Sequence, residues 1–319
     1  MPGVSARFPD SPPPATAPVR PARAPRRRVD GVLLLDKPSG LSSNAALQRA
    51  RRVFAAEKAG HTGTLDPLAS GLLPVCFGDA TKFAQALLDS NKEYLATVRF
   101  GIATTTGDAE GDETGRGRED FTRSEIERAL PAFTGTIAQV PPRNAALKYR
   151  GRSYYAYARE GVEIPRAPRS VHVDAVELLD WAPPDARLRV ACGKGTYVRV
   201  LAEDIGRALG SCAHLVALRR VATGPFVLAA AVTLEVLEAL PVEARDALLL
   251  PPDTLVAAMP KLDVGTDVAR GLRQGKRVEC AASDAQRMFR CYGPGSDFVG
   301  IVESVAGTLR PVRLARTDV

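Results

Sequence analysis

The sequence lacks the marks of several common protein classes. Its 319 residues include only five cysteines and three histidines. Cys76, Cys192, Cys212, Cys280 and Cys291 form no C-x-x-C pair, and their number is odd. This excludes a disulfide scaffold and points to a reducing compartment, so the expected location is cytoplasmic. His61, His172 and His214 show no H-x-x-x-H spacing, and no metal site is expected. No run approaches the roughly 18 consecutive apolar residues of a membrane span, so no membrane partner is expected. There is no Walker A loop, and Gly193-Lys194-Gly195 is not followed by the third glycine of a dinucleotide fingerprint.

What is present is a globular composition, 45% hydrophobic and 25% charged. At roughly 150 residues per domain the length suggests two domains. The net charge of +7 is unevenly placed. Residues 1–29 hold six arginines and eight prolines against a single acid, Asp10, and read as a disordered tail. The prolines argue against the amphipathic helix of a transit peptide, and no secretory h-region is present. The rest of the chain is nearly neutral, so any nucleic-acid binding must use local patches.

The folded body is expected to open at Gly31 with an apolar strand, Val32–Leu35, and a turn at Asp36–Gly40. Ser42 or Ser43 can cap a helix that buries Leu47, Ala50 and Phe54. Helices are also predicted over Thr81–Asp89, over Ser124–Ala132 behind a Thr122/Glu125 capping box, and over Tyr197–Leu209. The last of these turns Val198, Leu201, Ile205 and Ala208 inward. Lys92–Phe100 and several segments of 170–200 read as strands, and 103–120 as an exposed loop. The first domain is drawn at 30–245 and the second at 246–319. Glycine turns between short strand-like runs make the second an all-β module.

Four segments could carry chemistry. Gly60–Gly71 places Asp66 in a stiff loop between Leu65 and Pro67, where a carboxylate can act as nucleophile or base. An Asp before a Pro is equally a good helix N-cap. Lys92 and Tyr94 share one face of their strand. Tyr94 can stack on a base or simply fill the core. Arg199 follows the Gly193–Tyr197 turn and can pair a carboxylate or lie at the surface. Residues 141–170 hold seven cations against Glu160 and Glu163, interleaved with Tyr149, Tyr154, Tyr155 and Tyr157. That mixture suits phosphate contact and base stacking, or a solvated basic hairpin.

Each motif alone is weak, but their joint order is specific. Gly31–Ser43, Gly60-His61-Thr62-Gly63-Thr64-Leu65-Asp66-Pro67, Lys92-Glu93-Tyr94, Lys194–Arg199 and Ala213–Arg220 together resemble the TruB family of tRNA pseudouridine synthases. The resemblance is strong over 31–235 and weak beyond. It implies an α+β fold, with a mixed, largely antiparallel sheet in the catalytic domain and a small PUA-like module. It implies isomerisation of uridine-55 in the tRNA T arm, without cofactor or metal. By the same resemblance Asp66 is the catalytic aspartate, Tyr94 packs on the target base and Arg199 pairs with Asp66. Leu218 walls the base pocket, and His61 enters the space that the flipped base vacates. Lys92, Lys148, Arg152 and Tyr197 fall among residues expected to bind substrate, and 141–170 is where the family grips the T arm.

One departure stands out: the family has an aromatic where this chain has Asn144, which puts one RNA-facing or core contact in question. The alternative to an enzyme is a tRNA-folding chaperone that needs no chemistry. A monomer is expected.

Overall fold

The computed structural model describes residues 26–145, 147–280 and 287–316. Residues 1–25 of the expected tail and the Tyr155 side chain lie outside that description. In chain order, the first domain is built on β1 (Gly31–Lys37), α1 (Ser43–Val53), β2 (Ser70–Phe77), β3 (Lys92–Phe100), β4 (Gly135–Gln139), β5 (Arg169–Ala182), β6 (Asp185–Cys192), α2 (Val198–Ala208) and β7 (Ala213–Thr223). The strands join one mixed sheet in the order β1-β2-β7-β3-β6-β5-β4. Only β2 with β7, and β1 with the short strand Val232–Thr233, pair in parallel.

β1 reads as a continuous apolar run because both its faces are covered. Leu33 and Leu35 join the main core under α1 and α2, with Val98, Phe100, Leu188 and Ile205. Val32 and Leu34 face a second cluster with Leu72, Phe83, Leu255 and Val256. Ser42 is the cap of α1, accepting from the Ala45 amide, while Leu47, Ala50 and Phe54 are buried as predicted. The Thr122/Glu125 capping box is formed, and its helix spans Arg123–Ala129.

The structure corrects several boundaries. Arg27 and Val29, at the end of the expected tail, contact the folded body. Arg27 pairs with Asp246 at 2.5 and 2.7 Å, and Val29 is buried in the main core. The chain just past residue 245 stays against the first domain. Leu250 exchanges backbone hydrogen bonds with Val32, and Leu248 and Leu249 pack on the first domain's core. Residues 103–120 are not simply an exposed loop. They form a small hairpin, Ile102–Thr104 with Glu113–Arg116, around a buried Asp108. Ala208 is exposed at the end of α2. The stretch read as one helix over Thr81–Asp89 is a 3-10 turn, Gly78–Lys82, followed by a helix at Ala84–Leu88.

The second domain is a five-stranded sheet. It is formed by β8 (Lys261–Asp263), β9 (Val278–Glu279), β10 (Arg287–Gly293), β11 (Asp297–Val305) and β12 (Thr308–Leu314), in the order β8-β10-β11-β12-β9. It is not purely β: the helix Thr266–Arg273 packs Ala269 and Leu272 against Phe289, Val299 and Val302.

Candidate active site

The loop carrying Asp66 is fixed from below by the turn that follows β1. Ser43 Oγ accepts from the Leu65 amide at 2.7 Å and donates to the Leu65 carbonyl at 2.8 Å. The Gly40 amide donates to the Pro67 carbonyl at 2.8 Å, and Ser39 Oγ to the Leu68 carbonyl at 2.9 Å. No helix follows Pro67, so Asp66 caps nothing. Its carboxylate instead lies 3.0 Å from Nη2 of Arg199.

Arg199 is itself buried, on the first turn of α2. Its Nη1 reaches Asp108 at 3.4 Å, the Thr106 carbonyl at 3.2 Å and Asn144 Oδ1 at 2.6 Å. Asp66 and Asp108 thus share one guanidinium, with Asp108 shut away from solvent and Asp66 opening onto the cavity. Burial raises the Asp66 pKa above the ordinary carboxylate range, and nearby Asp108 adds to the rise. Arg199 and the more distant Lys37 oppose it. Lys37 is fully buried, its ammonium donating to the Pro38 carbonyl at 2.8 Å and to the Leu41 carbonyl at 2.6 Å. Burial pushes its pKa down to about 8.

A cavity of about 270 Å³ opens above Asp66. Tyr94, Leu218, Tyr197, Lys92 and Arg220 line it together with Asp66 and Arg199. Tyr94 stands between Val190 of β6 and Arg220 of β7 in the sheet register. Burial holds its hydroxyl above the usual tyrosine range. Arg220 is 1% exposed. Its Nε donates to the Leu72 carbonyl at 2.7 Å and its Nη2 to the Gly63 carbonyl at 3.1 Å, joining β2, β7 and the Asp66 loop. Gly71, at φ +101°, lets this approach happen, since a Cβ there would collide with the Arg220 backbone. Leu218, 9% exposed, supplies an apolar wall.

Tyr197 precedes α2 and is gripped by Gln139 at the end of β4. The Gln139 amide accepts from the Tyr197 N–H at 3.0 Å and donates to its carbonyl at 3.3 Å. His61 sits at the loop's entry, and its buried Nδ1 has no hydrogen-bond partner among the described residues. Burial, with Arg220 nearby, lowers its pKa and favours the neutral ring.

Three expected binding residues point their charge away from the cavity or lie outside its lining. Lys92 is turned inward. Its ammonium donates to the Leu88 carbonyl at 2.6 Å and to the Ser90 carbonyl, closing the end of the Ala84–Leu88 helix. Lys148 and Arg152 lie on the small Lys148–Tyr149/Arg152–Ser153 hairpin, outside the cavity lining. Arg152 pairs with Glu160 at 2.6 Å and covers the Tyr157 ring. Asp108, Gln139, Lys37 and Arg220 are site residues that the sequence reading did not single out. For Lys37 and Arg220 the signal was present, since both fall inside the strings that carried the resemblance.

Family comparison agrees with this geometry. Residues 51–198 match the N-terminal domain model of TruB family pseudouridylate synthases. Residues 199–257 and 260–315 match two models of the corresponding C-terminal regions. The chain is 54% identical over 292 residues to a tRNA pseudouridine synthase B from Thiobacillus denitrificans, covering 92% of this chain and 98% of that one. It is 53% identical over 296 residues to one from Aromatoleum aromaticum, covering 92% and 96%. Among solved structures it is similar to a Cbf5-Nop10-Gar1 complex, at a TM-score of 0.70 and 25% identity over 95% of this chain and 91% of that one. An archaeal box H/ACA sRNP Nop10-Cbf5 complex gives a TM-score of 0.68 and 25% identity, covering 90% and 85%. With three TruB models matched in order along its length, and with close relatives aligned nearly end to end, the chain belongs to the TruB family of pseudouridine synthases.

Proposed function

We infer that the protein isomerises uridine-55 in the T arm of tRNA to pseudouridine. In this reaction the N1–C1′ bond breaks, the base turns and a C5–C1′ bond forms. The C5 proton is lost and N1 gains one, so the balance needs no external group. Asp66 is the group proposed to act at the reacting centre. Arg199 holds its charge, and Tyr94 and Leu218 sandwich the flipped base. Flipping costs a few kcal/mol, which stacking at about 1–3 kcal/mol per base offsets. His61, neutral and unpaired on its inner edge, suits insertion where the base leaves. Tyr197 lines the same cavity, and Lys92 supports it from within.

The exposed cations of 141–170, Lys148 and Arg152 among them, are proposed to hold the T-arm phosphates. The tail, where it lies outside the described residues, adds nonspecific attraction for RNA. The protein is proposed to act as a monomer in the cytoplasm, in keeping with its unpaired cysteines. No helix among the described residues is long and apolar enough to cross a membrane.

The observation that carries the reading is the Asp66–Arg199 pair at 3.0 Å on the floor of the Tyr94 cavity. Tritium release from tRNA labelled at uridine C5 tests it. Release by the wild type and none by Asp66→Asn is the expected result. Tight tRNA binding without release by either protein would leave the chaperone reading instead.

A further inference from the structure

Three acceptors converge on Nη1 of Arg199, and one of them belongs to the segment proposed to grip RNA. That nitrogen carries two hydrogens. The Thr106 carbonyl, Asp108 and Asn144 Oδ1 compete for them, and Asn144 makes the shortest contact, at 2.6 Å. Arg199 has no acceptor atoms, so the carboxamide must turn its oxygen toward it. An aromatic residue, which the family resemblance puts at this position, offers no carboxamide oxygen. Asn144 also forms part of the wall between two cavities. One is the active-site cavity; the other, of about 330 Å³, is bounded by Thr106, Arg143, Tyr154, Tyr157 and Arg166. A group seated in the second cavity therefore touches the neighbours of the atom that holds Arg199.

We propose that Asn144 is a positioning residue for this reaction, fixing Nη1 of Arg199 so that its other edge faces Asp66. RNA contact on the 141–170 segment is thereby transmitted to the catalytic carboxylate through one hydrogen bond. The proposal rests on the pseudouridine-synthase reading of the same site. Its signature is a loss of rate rather than of affinity, because Asn144 acts through Arg199 and not on the phosphates.

The test is single-turnover tritium release from C5-labelled tRNA, with tRNA affinity measured in parallel, at mildly alkaline pH. Wild type, Asn144→Ala and Asn144→Asp are compared. Asn144→Ala is expected to slow release by about ten- to a hundredfold, the size of a lost charge-assisted hydrogen bond, with affinity within about twofold. Asn144→Asp keeps an acceptor on the same stem and is expected to recover most of the rate. An Asn144→Ala enzyme as fast as wild type, one whose rate falls only in step with its affinity, or equal losses in both variants would overturn the proposal. Absence of release from the wild type would instead refute the function itself.

Discussion

Two adjacent serines provide a sharp test of how the catalytic loop is held. Ser43 is 2% exposed, and its hydroxyl makes two bonds to Leu65, the residue before Asp66. Ser43→Ala removes both and leaves a buried N–H and a buried carbonyl without partners. Each such group costs about 1–3 kcal/mol. Both belong to one residue, which can relax as a unit, so the expected loss is about 2–4 kcal/mol. The space left by one oxygen is too small for a water to restore the bonds. Ser42 differs. It accepts from the Ala45 amide at 3.1 Å at the start of α1, and loss of such a cap costs about 1 kcal/mol.

Both substitutions therefore destabilise, but only Ser43→Ala frees the segment that aims Asp66. A misplacement of about an ångström costs up to about a hundredfold in rate. Ser43→Ala should slow single-turnover release by about ten- to a hundredfold with tRNA affinity unchanged. Ser42→Ala should turn over like the wild type. Urea unfolding and tritium release measure the two effects. A Ser43→Ala protein within about 0.5 kcal/mol of wild type, or turnover equal in the two variants, would refute the reasoning.

Other outcomes follow from the charges. The Asp66 pKa is raised in the folded state, so the native protein binds the extra proton, and stability falls as pH rises from the unfolded to the folded value. Asp66→Asn is thus expected to abolish product while melting no lower than wild type at neutral pH; a lower melting temperature would contradict this. The same shift places the acid limb of the single-turnover rate above the ordinary aspartate range, and a limb at or below that range would count against it. Lys148 and Arg150 are exposed and have no carboxylate partner among the described residues, whereas Arg152 is paired with Glu160. Replacing Lys148 and Arg150 by Gln should lower the salt slope of tRNA binding by about one each, and Arg152→Gln by less.

The parts of the site legible in the sequence are those set by short-range strings. Asp66, Tyr94 and Arg199 lie in three motifs whose order is specific, and the structure brings them to one cavity. The Thr122/Glu125 capping box is local, and it formed as read. Asp108 was hidden because a Gly-, Thr- and acid-rich stretch has the composition of a solvated loop. Its burial depends on Arg199, far along the chain. Gln139 was hidden for the same reason: its partner is the backbone of Tyr197, which no local pattern announces. The docking of residues 248–250 on the first domain was hidden because Leu250 pairs with Val32, near the start of the folded chain. Arg27 looks like its neighbours until Asp246 is seen to hold it.

Lys92 shows how a cation can line such a cavity while its charge is taken up by backbone. The resemblance puts Lys92, on the same strand face as Tyr94, among residues expected to bind substrate. Here a short helix ends against it, and the helix leaves carbonyls that have no partners of their own. The ammonium satisfies them and is buried, which lowers its pKa to about 8. Lys37 and Arg220 follow the same rule, each donating to backbone carbonyls. Lys92, Lys37 and Arg220 therefore fix backbone, whereas Arg199 pairs with Asp66 and Asp108. Cations free to meet phosphate, such as Lys148 and Arg150, stand on the exposed 141–170 segment. Asn144 joins that segment to the buried network through its bond with Arg199, so the exposed cations of 141–170 and the backbone-fixing cations are separate sets.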